Sequence, residues 1–183
     1  MDQLTQEFDV DVRWWPFELH PETPRAGRNV DELLGRSGRG RAYKDHLKAY
    51  AAEAGITLAS NRKLSNSHRA LELAEFARDH GAFDAVHRAL FRAYFEEAQD
   101  IGDEAVLESI ATDAGLDLDE WRAASKLGRY ARLVDEATAV AHRAGYSSTP
   151  TMIVDNRMVI PGAQDYLVYQ DVLRRMDAPR REP

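Results

Sequence analysis

Cysteine is absent from the 183 residues of this sequence. A chain without thiols has no disulfide bond, no thiolate nucleophile and no cysteine-ligated metal. Thiol–disulfide exchange requires an attacking thiolate. The chain as given therefore has no group of its own that can perform this exchange.

Basic charge and long apolar runs are also scarce. The 31 acidic residues outnumber the 24 basic ones, which gives a net charge of −7. Such a balance argues against a nucleic-acid partner, because phosphate recognition needs a basic surface. No apolar run approaches the roughly 20 residues that span a bilayer, and the polar start MDQLTQEFDV is unlike a signal peptide. We therefore expect a soluble, cytoplasmic protein without a membrane partner.

Histidines are few and dispersed, and none belongs to an H-E-x-x-H motif or another tight ligand cluster. A metal site assembled from residues far apart in sequence remains open. Surface or capping roles are the simpler interpretation, and we predict no metal site. The six histidines are His20, His46, His68, His80, His87 and His142.

The first 43 residues predict a strand followed by a long loop. Apolar and polar residues alternate from Phe8, which predicts a strand over about 8–15 that ends at Pro16. The segment after it is rich in proline, glycine and arginine and predicts a loop, with at most one helical turn near Asp31–Leu34. Its arginines either contact an anionic ligand or are solvated; they are Arg25, Arg28, Arg36, Arg39 and Arg41.

Helical periodicity dominates the middle of the chain. The aromatic residues between Phe83 and Phe95 recur at helical spacing, which is more typical of a core than of a cofactor site. Asn66, Asp103 and an aspartate at 117 or 119 are predicted caps, and glycines end most of the helices. The predicted helices cover about 42–54, 66–79, 82–98, 104–114, 119–126 and 129–144.

The last third of the chain predicts a hairpin and a helix. Two β-branched runs, 149–154 and 157–162, flank the turn residues Asp155 and Asn156. A helix over 165–176 and a frayed tail, DAPRREP, follow. The strands must pair across the helical block, which predicts one α/β unit, residues 1–40 and 145–183, interrupted by a helical domain, residues 41–144.

Four motifs, taken in order, resemble those of one family, the DsbA-type thioredoxin-fold oxidoreductases of the FrnE subgroup. The 2-hydroxychromene-2-carboxylate isomerases share that architecture. The resemblance spans residues 10 to about 175 and implies a thioredoxin-like α/β fold interrupted by an α-helical insertion. The motifs are VRWWPFELHP at 12–21, NSHRA at 66–70, AYF at 93–95 with DIGD at 100–103, and GYSSTPTMIV at 145–154 with IPGAQ at 160–164.

The pair Thr149-Pro150 is the most informative part of the resemblance. In the family this proline is cis and faces the active-site thiols. The resemblance therefore implies that Ser148, Thr149 and Pro150 form a substrate-binding loop whose backbone pairs with an extended ligand. His20 and Asn66 are further candidates to line the site.

One departure from the family pattern concerns the start of the chain. The family begins with a strand, a Cys-x-x-Cys motif and a helix, whereas only about nine residues precede Val10 here, and a βαβ unit needs roughly 30. We therefore expect the first strand and most of the first helix to be missing, with residues 1–7 as the last turns of that helix. Three explanations are open. The chain is a truncated product; or the gap is filled by its own N-terminal residues or by a strand from a partner subunit; or its lineage has lost redox chemistry.

Three functions follow from these observations. The first is a DsbA/FrnE-like thiol–disulfide oxidoreductase by lineage that is redox-inactive as given. The second is a glutathione-dependent isomerase or transferase, in which Ser148, Thr149 and Pro150 hold the glutathione backbone and the ligand supplies the thiol. The third is a non-catalytic binding protein. The expected ligand is a peptide, a thiol or a small molecule. No cofactor is expected apart from glutathione in the second of these functions. A homodimer with strand exchange is one expected assembly.

Overall fold

The structure, a computed structural model, describes residues 1–30, 45, 48–49, 51–52, 55–60 and 63–181. These residues form two compact units, one of Met1–Trp15 with Ala139–Pro183 and the other of Pro16–Thr138. We call them the discontinuous unit and the continuous unit. The described elements are α1 (Asp2–Glu7), β1 (Arg28–Asn29), β2 (Lys63–Leu64), α2 (His68–Asp79), α3 (Phe83–Phe91), a π-helical turn (Arg92–Glu96), α4 (Glu104–Asp113), α5 (Leu118–Lys126), α6 (Arg129–Arg143), β3 (Thr151–Val154), β4 (Met158–Pro161) and α7 (Tyr166–Arg175).

The discontinuous unit contains the predicted hairpin. Strands β3 and β4 pair antiparallel, with Met152 opposite Ile160. Asp155 and Asn156 both have positive φ, 50° and 52°, as the two central residues of a type I′ turn require, and this turn matches the twist of the flanking strands. The hairpin and the following helix α7 are therefore confirmed.

The core of the discontinuous unit joins both ends of the chain. Leu4, Phe8 and Leu173 are buried together, and Met152 and Tyr166 pack against them. The Asp9 N–H donates to the Pro179 carbonyl, and the Arg181 N–H donates to the Glu7 carbonyl. Burial of Phe8 and these backbone bonds fix the N-terminal segment against the tail.

Helices α2 to α6 contribute the core of the continuous unit. Leu73, Phe76 and Trp121 lie at its centre with almost no exposed surface. The Asp103 carboxylate accepts a hydrogen bond from the Ala105 N–H, and the Asp117 carboxylate accepts one from the Glu120 N–H. The helices predicted over 66–79, 104–114, 119–126 and 129–144 are confirmed, with Asp117 rather than Asp119 as the cap.

Several local predictions were wrong. The strand predicted over 8–15 reduces to a single bridge between Phe8 and Arg180, because beyond that point the described chain offers the segment no strand partner. The described part of the tail, residues 177–181, is held by this pairing rather than frayed. The helix predicted over 82–98 ends as an α-helix at Phe91 and continues as the π-helical turn. Ser67 directly precedes α2 and makes no side-chain capping bond, whereas the predicted cap, Asn66, accepts a hydrogen bond from the His68 N–H.

Two short strands lie where the sequence indicates a loop. β1 and β2 pair antiparallel, with Arg28 opposite Leu64. The helical turn predicted near Asp31–Leu34 lies outside the described residues, as does most of the helix predicted over 42–54. The predicted domain boundaries stay a prediction. Among the described residues, no helix is long and apolar enough to cross a membrane.

Candidate functional site

The loop between α6 and β3 contains the motif singled out in the sequence. The Thr149–Pro150 peptide bond is cis, as predicted from the resemblance. The Thr151 hydroxyl donates to the Ser148 carbonyl at 2.7 Å, and the two hydroxyl oxygens of Ser148 and Thr151 lie 3.2 Å apart. Because the single hydroxyl proton of Thr151 is engaged by that carbonyl, the Ser148 hydroxyl is the donor of the second bond. The two side chains thus lock the loop around Pro150.

A cavity of about 340 Å³ opens beside this loop. Within the described part of the chain, β3 has a strand neighbour on one edge only, and no hydrogen bond reaches the backbone of Thr149. The loop therefore presents free backbone donors and acceptors that suit an extended ligand. The cavity is lined by Ala144, Gly145, Tyr146, Ser147, Ser148, Thr151, Val159 and Pro161.

The carboxylate of Glu7 ties helix α7 to the N-terminal segment of the same unit. It accepts hydrogen bonds from the Tyr166 hydroxyl and from the Gln170 amide, and Arg180 pairs with it. The Tyr166 hydrogen bond, followed by that of Gln170, lowers the pKa of Glu7. These bonds hold α7 in place beside the hairpin that carries the loop.

The continuous unit contains a larger and more strongly charged cavity, of about 710 Å³. Glu18 and Glu72 both border it although only 6% and 3% of their surfaces are exposed. Buried carboxylates need partners that offset their loss of hydration. The lining residues are Glu18, Pro21, Arg25, Asn66, His68, Arg69, Glu72, Gly102, Glu104, Ser125, Ala131 and Asp135.

His68 lies between the two buried carboxylates. Its Nδ1 atom lies 2.9 Å from Oε2 of Glu18, and its Nε2 atom lies 3.6 Å from Oε1 of Glu72. His68 and Glu72 are one helical turn apart on α2, so they share a face. Asp135, on α6, is also near: one ligand atom each of Glu18, His68 and Asp135 all lie within 4.8 Å of one another.

Arg69 pairs with two of the carboxylates that line this cavity. Its guanidinium donates to both carboxylate oxygens of Glu104, at 2.9 and 3.0 Å, and to Glu72 at 3.3 Å. It also bonds the Ser125 hydroxyl and lies over the Trp121 ring. Burial raises the pKa of Glu72, while the Arg69 charge opposes that rise. Glu72 therefore has a cationic partner on one side and His68 on the other.

Three neutral contacts fix the backbone around the cavity. The Thr138 hydroxyl oxygen accepts a hydrogen bond from the Glu18 N–H at 3.1 Å. The Asn66 side chain accepts from the His68 N–H at 3.1 Å and donates to the Thr23 carbonyl at 2.6 Å. Gly102 lies so close that a Cβ there would be 3.0 Å from the Asn66 carbonyl oxygen. The positions of Glu18 and His68 are thus set by the backbone as well as by their side chains.

The predicted site residues fall into both units. Ser148 lines the smaller cavity, and Thr149 and Pro150 follow it in the loop. Asn66 borders the larger cavity, whereas His20 is exposed, lies 3.5 Å from Glu22, and is not among the described residues that line that cavity. Their functional roles stay predictions.

Sequence reasoning missed the group of Glu18, His68 and Asp135. The spacing of His68 and Glu72 on a predicted helix was the available signal, because residues four apart share a helix face. Glu18 and Asp135 come from other segments, and no local pattern points to them.

Comparisons with known proteins agree with this architecture. The model of the family described as DSBA-like thioredoxin domain matches residues 1–174. A crystal structure of a probable DsbA oxidoreductase from Streptomyces coelicolor superposes with a TM-score of 0.78 at 25% identity, over 91% of this chain and 75% of that one. The structure of a 2-hydroxychromene-2-carboxylate isomerase has a TM-score of 0.72 at 19% identity, over 96% of this chain and 86% of that one.

The fold is therefore the mixed α/β, DsbA-like thioredoxin fold. This chain belongs to the DSBA-like thioredoxin domain family. The uncharacterized protein YwbO of Bacillus subtilis is 27% identical over 170 residues, which cover 90% of this chain and 82% of that protein.

Proposed function

We propose that this chain is a redox-inactive member of the DsbA family that binds a short thiol peptide, with glutathione as the representative ligand, on the loop of Ser148, Thr149 and Pro150. One observation carries the proposal: no hydrogen bond within the described chain reaches the Thr149 backbone, which lies beside a cavity lined by Ser148 and Thr151. The lack of cysteine explains why the chain would bind without exchanging disulfides.

The dimensions of the cavity favour a small ligand. Pockets for small molecules measure about 300–1,000 Å³, and this cavity measures about 340 Å³. Its two serines, Ser147 and Ser148, and the Thr149 backbone offer hydrogen bonds to a peptide main chain, while Val159 supplies an apolar contact. These features suit a tripeptide better than a large rigid molecule.

An insulin-reduction assay tests the redox part of the proposal. Insulin turbidity in dithiothreitol is followed with this protein, with thioredoxin as the positive control, and without protein. We expect the rate with this protein to equal the rate without protein, since no thiolate is available for exchange. A clearly catalysed rate from purified protein would overturn the proposal.

Calorimetric titration with glutathione tests the binding part. Ser147→Trp places an indole in the cavity, and Ser109→Trp makes the same change at an exposed position on α4 of the other unit. We expect saturable binding that Ser147→Trp weakens at least tenfold, while Ser109→Trp leaves it within about twofold. Equal affinities for the two variants would place the ligand elsewhere.

A glutathione-dependent isomerase or transferase is the second candidate. It is favoured by the lack of cysteine, because bound glutathione would supply the only thiol needed. The 2-hydroxychromene-2-carboxylate isomerase of the same fold suggests isomerisation of 2-hydroxychromene-2-carboxylate as the reaction to assay. Turnover that requires glutathione would establish the enzyme, whereas binding without turnover would favour the non-catalytic binding protein.

Location and assembly are proposed on the same footing. We propose a cytoplasmic protein that forms a homodimer by strand exchange, with the free edge of β3 as the place of exchange. Light scattering after gel filtration gives the mass in solution, and a monomer would contradict the dimer. Fractionation of cells that produce the protein tests its location. Disulfide isomerase activity is proposed only for members of the family that have the Cys-x-x-Cys thiols.

A further inference from the structure

We propose that Glu18, His68 and Asp135 form a binding site for a divalent transition-metal ion, with Zn²⁺ as the representative ion. The site lies within the continuous unit and is independent of the ligand loop of Ser148. One nitrogen and two carboxylate oxygens would bind the ion, and solvent in the cavity would complete its coordination.

The three ligand atoms are close to a coordinating arrangement. Zinc–ligand bonds of about 2.0–2.2 Å place tetrahedral ligands about 3.3 Å apart. Glu18 and His68 already lie 2.9 Å apart, and all three ligand atoms lie within 4.8 Å of one another. Asp135 is exposed and forms no ion pair with the described residues. Its carboxylate is therefore able to turn toward the other two.

A carboxylate also lies near the second nitrogen of His68. A ligating histidine commonly donates its other N–H to a carboxylate, which fixes the tautomer and the ring orientation. Oε1 of Glu72 lies 3.6 Å from Nε2, just beyond hydrogen-bond distance, so a small rotation of either side chain would form this bond. The ion would replace the proton on Nδ1, the atom that faces Glu18, and Nε2–H would point at Glu72.

Charge and rigidity also favour a cation here. Four carboxyl groups line the cavity against two arginines, so acidic side chains outnumber guanidinium groups there. Glu18 is 6% exposed, and its backbone is held by Thr138 while that of His68 is held by Asn66. A rigid, partly buried carboxylate beside an imidazole binds an ion without first being ordered.

The donor set distinguishes between classes of ion. Imidazole suits Zn²⁺ and neighbouring transition metals, whereas Mg²⁺ and Ca²⁺ prefer oxygen ligands alone. We therefore expect Zn²⁺ and Co²⁺ to bind, and Mg²⁺ not to compete with them at equal concentration. Co²⁺ adds an absorption spectrum that reports its coordination directly.

The test uses the full, untagged chain and two neighbouring substitutions on α6. Asp135→Asn removes one proposed ligand, and Glu136→Gln removes the same charge from the next residue, which is also exposed and does not line the cavity. Zn²⁺ affinity is measured by calorimetry at neutral pH. We expect one ion per chain, at least tenfold weaker binding in Asp135→Asn, and binding within about twofold of wild type in Glu136→Gln.

Further measurements make the outcome decisive. Circular dichroism shows whether each variant is folded, and His68→Gln should remove the Co²⁺ absorption spectrum in a folded protein. Equal Zn²⁺ affinity in wild type and Asp135→Asn, or an unchanged Co²⁺ spectrum in His68→Gln, would overturn the proposal. His68 would then only contact two buried carboxylates, those of Glu18 and Glu72.

Discussion

The hydrogen bond between the Glu18 N–H and the Thr138 hydroxyl gives the most quantitative prediction. The two residues are 120 positions apart and both are 6% exposed. Thr138→Val keeps the shape of the side chain and removes the acceptor. The buried N–H is then unsatisfied, which costs about 1–3 kcal/mol. This loss corresponds to a roughly 5- to 150-fold shift in the folding equilibrium.

Urea unfolding followed by tryptophan fluorescence measures the loss. Trp121 is fully buried in the continuous unit, whereas Trp14 and Trp15 of the other unit are 38% and 75% exposed. The largest change in emission therefore reports unfolding around Trp121. With a slope of about 2 kcal/mol/M, the midpoint should fall by about 0.5–1.5 M.

The matched control is Thr138→Ser, which keeps the hydroxyl and removes the methyl group. Its cost should be about 1 kcal/mol or less, the value of one buried carbon. A Thr138→Val protein whose free energy of unfolding lies within about 0.5 kcal/mol of the wild-type value would contradict this prediction. If the metal site exists, Zn²⁺ affinity should also fall in the valine variant more than in the serine variant, because Glu18 loses its backbone support.

Three further predictions concern the units themselves. The pKa of Glu7 is lowered from its ordinary value of 4.5, chiefly by the Tyr166 hydroxyl, so its stabilising effect is present above pH 4.5 and is lost as the pH falls through the native pKa. The urea midpoints of wild type and Glu7→Gln should therefore differ at pH 7, and the difference should shrink steadily as the pH is lowered below 4.5. Burial raises the pKa of Tyr130 to about 12, so ultraviolet titration should show a transition near pH 12 that Tyr130→Phe removes. The contribution of the neutral Tyr130 to the free energy of unfolding should be lost as the pH rises from about 10 through 12. Phe8 has no exposed surface, so Phe8→Ala should lower the free energy of unfolding, measured in urea, by about 3–5 kcal/mol. Leu167→Ala, at a 71% exposed position, is the control and should change it by less than about 0.5 kcal/mol.

Periodicity and turn chemistry predicted most of the elements. Asp103 and Asp117 mark helix starts because a carboxylate can cap free N–H groups locally. Asp155 and Asn156 mark the hairpin because these residues tolerate positive φ. Such signals depend on a few neighbouring residues, so they can be read without knowledge of the tertiary structure.

Pairing and proximity could not be predicted in the same way. Alternation after Phe8 indicates which side chains are buried, but a strand also needs a partner, and Phe8 has only one bridge, to Arg180. Glu18 and His68 are 50 residues apart, and Asp135 comes from a third segment. Only the packing of α2, α6 and the segment after Pro16 brings them to one cavity. Asn66 could be proposed from the sequence because it belongs to a contiguous motif, and its functional role stays a prediction.

The central claim is that this DsbA-family chain binds a thiol peptide through the backbone of the Thr149 loop without a thiol of its own. Calorimetric titration with glutathione and with S-methylglutathione tests it most directly. We expect saturable binding of both ligands with similar affinity, because recognition through the Thr149 backbone does not require the ligand thiol. No heat at millimolar concentrations of either ligand would contradict it.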